Sequence, residues 1–270
     1  MPLHVHNPAI STSCMGGPLL GRIDAASAAG FSAVEVFWPD IAVAGVGLGE
    51  LRSRMEDQGL KVSSLQPLRG FEGADAQTQH QARLEAEGFF ETAAMLGAAM
   101  VGVCASERPD AGGVEAASEM LHGLADVGQR YGVSLGFEAL SWSTRINTPA
   151  HAAAAVALSG HPGVRTIIDA FHLYETGIAD LAKALAIGPP ALVQIANVEP
   201  GVTRSAKEKS RHHRALRGPV PLARILSDVL ALYPDAPVSI ELFSDRLRSA
   251  PPQEVARQAF AALQVLLIDA

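Results

Sequence analysis

The chain has 270 residues, 48% of them hydrophobic and 18% charged, with a formal net charge of −7. This composition excludes a disordered chain, and a chain of this length buries roughly 70–75% of the surface it exposes when unfolded. The acidic balance weighs against nucleic acid as a partner, and the two cysteines, Cys14 and Cys104, lack the paired spacing of a disulfide framework or zinc knuckle.

No uncharged apolar run of about 18 residues offers a membrane span. The opening MPLHVHNPAI has neither a basic n-region nor a long apolar h-region, so a cytoplasmic protein with no membrane partner is expected. Oligomeric state is left open.

In chain order, short apolar runs alternate with longer helical patterns. Strands are expected near 9–13, 33–37, 61–65, 99–104, 133–138, 164–168, 192–196 and 238–242. Helices are expected near 19–30, 48–59, 75–96, 113–131, from 148 onward, 178–187, 220–233 and 252–268. Gly30 and Gly59 are stop signals, and Thr148-Pro149 reads as an N-cap followed by proline at the first helical position. Residues 197–218 read as a long polar loop. Eight strands in alternation with eight helices, with no linker between them, predict an α/β fold with a parallel sheet. The count and the length favour a single-domain (β/α)8 TIM barrel over residues 1–270 rather than a doubly wound open sheet. The first β–α turn lacks the G-x-G-x-x-G phosphate fingerprint.

Chemistry in such barrels sits at the carboxyl ends of the strands. Four successive strand exits carry Glu138, Asp169, Gln194 and Glu241. One carboxylate at a strand exit commonly caps the next helix or pairs with arginine. Three crowded into a barrel mouth repel and lose hydration unless a cation or protons neutralise them. A divalent metal is the economical answer, and three carboxylate oxygens with one amide oxygen suit Mg2+ or Mn2+, with Co2+ a further candidate. A lone histidine is more often packed than catalytic, but His172 follows Asp169 by three residues, which points to a catalytic or substrate-orienting role. Between Gly201 and Gly218 stand Arg204, Lys207, Lys209, Arg211, Arg214 and Arg217 against one acid, Glu208. Such a run is usually solvated surface. Here it leaves the seventh strand on the side of the proposed metal, so a small anionic substrate is expected, with an arginine fork for a carboxylate or phosphate. Arg69, after the third strand, is a second candidate. His212 and His213 rank as contacts only, and His4 and His6 are assigned nothing.

The segments LQPLRGFEGAD, GFEALSWSTRIN, IIDAFHLY, LVQIANV, SRHHR and SIELFSDRLRSAP resemble the xylose isomerase-like TIM barrels, the sugar isomerase/epimerase and endonuclease IV superfamily. The resemblance covers nearly the whole chain and is nearest to the bacterial 3-dehydroshikimate dehydratases. It implies metal ligands at Glu138, Asp169, Gln194 and Glu241, with Gln194 standing where sugar isomerases commonly have histidine. It also implies that His172, Arg69, Ser210 and Arg214 face the substrate. The chain departs from many relatives at 215–220, where ALRGPV replaces a P-G-x-G turn. The endonuclease branch, which needs further histidine ligands and a basic face, does not fit. The implied reaction is dehydration of 3-dehydroshikimate to protocatechuate through an enolate, with His172, Glu138 and Glu241 as catalytic candidates. A sugar or hydroxypyruvate isomerase/epimerase, or a non-catalytic metal- and ligand-binding barrel, are the alternatives.

Overall fold

The computed structural model describes residues 5–70, 76–203 and 213–269. The parallel strands are β1 (Ala9–Ser11), β2 (Ala33–Phe37), β3 (Lys61–Leu68), β4 (Met100–Cys104), β5 (Ser134–Glu138), β6 (Val164–Asp169) and β7 (Leu192–Ile195). After two short strands, β8 (Asn197–Val198) and β9 (Arg214–Ala215), comes the last, β10 (Val238–Ile240). The order β1-β10-β7-β6-β5-β4-β3-β2 closes a barrel, as the alternating pattern predicts. Every residue of β4, β7 and β10 is buried, the expected state of parallel strands covered by helices, and the reason they read as largely apolar runs, interrupted by Gln194 in β7 and Ser239 in β10.

Two compact units make up the chain, Met1–Ser63 with Asp169–Phe171 and Val193–Ala270, and Ser64–Ile168 with His172–Leu192. In the first, β1 pairs with β2 and with β10, and β10 pairs with β7, setting Ser239 opposite Gln194. In the second, β4 pairs with β5 in a register that sets Cys104 opposite Glu138, so both strands deliver a side chain to the same end. Gly136 is needed inside β5. A Cβ there would lie 2.6 Å from Met100 Sδ and 2.7 Å from Ile167 Cγ1, members of a buried cluster with Ala191 and Leu192.

The helix signals act as expected. Leu19–Ala29 ends at Gly30, which is left-handed with φ 104°. Pro149–Ser159 starts at Thr148, whose Oγ1 accepts from the His151 N–H at 3.1 Å. The sequence pattern did not indicate the short helices Trp38–Ala42, Ala170–Thr176 and Asp245–Arg248, which are too brief to display a helical period. The expected polar loop at 197–218 is corrected in part, since its two ends pair as the antiparallel strands β8 and β9. Asn197 adds a second tie, its Oδ1 accepting from Val198 N and Val220 N at 3.1 and 3.0 Å. Gly218 permits this approach, because a Cβ there would meet the Val198 carbonyl oxygen and Asn197 Oδ1. No helix among the described residues is long and apolar enough to cross a membrane.

Candidate functional site

Glu138 is the last residue of β5 and Cys104 the last of β4, and their register makes them neighbours. The Cys104 thiol donates to Glu138 Oε2 at 3.1 Å. His172 sits in the helix Ala170–Thr176, which begins as β6 ends. Its Nδ1 receives the Ser141 backbone N–H at 3.0 Å and lies 3.0 Å from Ser141 Oγ. A backbone N–H can only donate, so Nδ1 presents its lone pair and the neutral imidazole carries its hydrogen on Nε2. Trp142 packs edge-on against the ring, with centroids 4.6 Å apart. Nε2 lies 3.7 Å from Glu138 Oε1, and both side chains are buried.

Asp169 ends β6 and caps the following turn, its Oδ1 accepting from Phe171 N at 2.6 Å. Arg214 Nη2 stands 3.8 Å from Asp169 Oδ2, and the guanidinium lies over the Phe171 ring, 3.2 Å from its centroid. Arg214 is only 4% exposed. Its backbone is fixed by pairing with Val198 and by its N–H donating to Phe243 O at 3.0 Å. A buried guanidinium stacked on an aromatic face keeps its planar fork in one orientation.

Gln194 and Glu35 are fully buried on β7 and β2, and the Gln194 Nε2 donates to Glu35 Oε2 at 3.0 Å. Glu241 follows β10 and is buried. The Cys14 thiol holds the chain on either side of it, accepting from Leu242 N at 3.1 Å and donating to Ile240 O at 3.4 Å. Burial pushes the Cys14 thiol far above its ordinary range, and the nearby Glu241 and Glu35 carboxylates push it further the same way. Both cysteines are buried as small-residue packing would require, but each also makes a thiol hydrogen bond that composition gave no sign of.

Of the candidate residues, Glu138, Asp169 and His172 each offer one ligand atom, and these atoms lie within 4.8 Å of one another. With hydrogen on His172 Nε2, the Glu138 and Asp169 carboxylates are the donors of this group that suit a divalent metal ion, whose charge would offset their mutual repulsion. Gln194 is buried inside β7, one residue before its end, and Glu241 is buried directly after β10. Arg69 is half-exposed and paired with Glu107 at 3.0 Å. His213 meets Glu199 through Nδ1 at 3.1 Å. Ser210, His212 and the cations between Arg204 and Arg211 lie outside the described residues. Ser141, Trp142, Cys104 and Glu35 were not singled out as site residues. The run GFEALSW held two of them, directly after the Glu138 strand exit.

Residues 23–266 match the family model described as xylose isomerase-like TIM barrel. The chain is 30% identical over 261 residues to a 3-dehydroshikimate dehydratase of Pseudomonas putida, and 31% identical over 265 residues to one of Pseudomonas aeruginosa. Each alignment covers 95% of this chain and 41% of the relative, so the chain spans about two fifths of the length of these curated relatives. Among solved structures, a xylose isomerase-like TIM barrel/4-hydroxyphenylpyruvate dioxygenase fusion protein superposes with a TM-score of 0.89 at 28% identity, over 97% of this chain and 43% of that one. With a closed parallel barrel and a family match along nearly its whole length, this chain belongs to the xylose isomerase-like TIM barrel family.

Proposed function

We propose that the chain is a hydro-lyase that uses a divalent cation, Mg2+ or Mn2+, to dehydrate 3-dehydroshikimate to protocatechuate, a step of aromatic catabolism. One observation carries this reading: the buried Arg214 guanidinium beside Asp169. A ring bearing a carboxylate calls for such a fork, and a neutral ketose does not. The two Pseudomonas relatives that carry the dehydratase name add support.

The donor chemistry fits a cation, since two buried carboxylates share one small group. Glu138, Asp169, Gln194 and Glu241 would hold it through oxygen, as hard ions prefer. When bound, the ion polarises the substrate ketone and lowers the cost of the enolate charge. The remaining steps fall to side chains. Arg214, with Arg69 and Ser210, holds the ring carboxylate. Glu138 or Glu241 takes the proton from the carbon next to the ketone. His172 gives its Nε2 hydrogen to the neighbouring hydroxyl, which leaves as water, and the proton held by the glutamate then passes to Nε2 and restores both groups. The substrate has then lost one H+ and one OH−, and the ring rearranges to the aromatic diol.

Incubating the protein with 3-dehydroshikimate and Mg2+ or Mn2+ tests the reading through the appearance of protocatechuate absorbance. Turnover of ketoses or hydroxypyruvate without protocatechuate would replace it with an isomerase or epimerase, which shares the enolate step. Binding of metal and ligand with no turnover of either kind would leave a non-catalytic barrel.

A further inference from the structure

An amide ligand carries a difficulty that a carboxylate does not. Its oxygen attracts a cation and its NH2 repels one, and the two ends have nearly the same shape. A buried Gln194 able to turn over would present the wrong end part of the time. The fully buried Glu35 removes that freedom, because its Oε2 receives the Gln194 Nε2 at 3.0 Å. A carboxylate oxygen seats the NH2 end, and the planar amide then turns Oε1 away from Glu35.

From this hydrogen bond, between residues 159 apart in sequence, we propose that Glu35 is a positioning residue that fixes Gln194 with its oxygen presented as a metal ligand. The role rests on the cation site described under the proposed function. It assigns purpose to a glutamate buried in the middle of a strand, where a carboxylate is costly unless it is paired. Supporting residues of this kind orient ligands directly, and their loss weakens metal affinity by roughly 10–100-fold.

The test is Mn2+ titration of metal-free protein by calorimetry, with circular dichroism and thermal unfolding run beside it. Glu35→Gln keeps the shape but presents a group that both donates and accepts, so it no longer selects one end of Gln194. Mn2+ affinity should fall by about 10–100-fold while the fold is kept. The exchanged pair E35Q/Q194E restores one amide facing one carboxylate, and it should recover affinity to within about tenfold of wild type. The exchange also carries the test should E35Q fail to fold. Mn2+ binding by E35Q equal to wild type, or a folded exchange variant that binds no better than E35Q, overturns the role of Glu35 and leaves the cation site standing. Wild-type protein that binds no Mn2+ overturns the cation site and this role together.

Discussion

The Ser141 backbone N–H points at Nδ1 of His172 from 3.0 Å, and that single donor decides which imidazole nitrogen carries hydrogen. With Nδ1 occupied as an acceptor, Nε2 of the neutral ring is an N–H directed to the Glu138 side. A ring in that state is a proton donor and a poor metal ligand, which separates His172 from the carboxylates it sits among. His172→Gln should therefore lower kcat by about 10²–10⁴-fold while Mn2+ affinity changes little. Parallel loss of metal binding would instead make His172 a ligand.

Glu241 carries the opposite expectation. Glu241→Ala should abolish both metal binding and turnover, read by metal analysis of dialysed protein and by protocatechuate formation. A fully active variant would remove Glu241 from the site.

On the proposed reading, Arg214 separates substrate classes. Arg214→Lys keeps the charge but loses the planar fork over Phe171, and kcat/KM for 3-dehydroshikimate should drop by about 10–100-fold, the range of a charge-assisted hydrogen bond. Comparing the variant on an anionic and a neutral substrate is the check, with an equal drop on both counting against a carboxylate clamp.

Cys14 gives a prediction with a defined pH direction. Burial raises its thiol well above the ordinary 9.0. The unfolded chain therefore releases a proton above about pH 9 that the folded chain retains. Stability from this group is complete below pH 9 and declines as pH rises above it, by about 1.4 kcal/mol per pH unit at most. Urea unfolding from pH 8 to 10.5 should show that slope in wild type and a shallower one in Cys14→Ala. The same burial should keep Cys14 inert to thiol reagents at pH 8 until the protein is denatured.

The barrel was legible because buried parallel strands are written as short apolar runs, and because Gly30 and Thr148-Pro149 mark helix ends with local chemistry. Strand exits were legible too, which located Glu138 and Asp169 at the carboxyl ends of β5 and β6. The supporting hydrogen bonds were not. Cys104 reaches Glu138 through the register of two strands, Ser141 reaches His172 across 31 positions, and Gln194 reaches Glu35 across 159. No local period encodes such pairings. The two-residue strands β8 and β9 were missed for a related reason, since only their antiparallel partner defines them.

For the anion clamp proposed above, the mounting of Arg214 bears on the thermodynamics of ligand capture. An arginine on an open surface surrenders roughly 2 kcal/mol of rotamer entropy when it grips an anion. Here the chain is paired at Val198, the guanidinium rests on Phe171 and the side chain is buried, so that disorder is gone before any ligand arrives. Association should accordingly be opposed by little side-chain ordering, and calorimetry of anion binding should register a small entropic penalty.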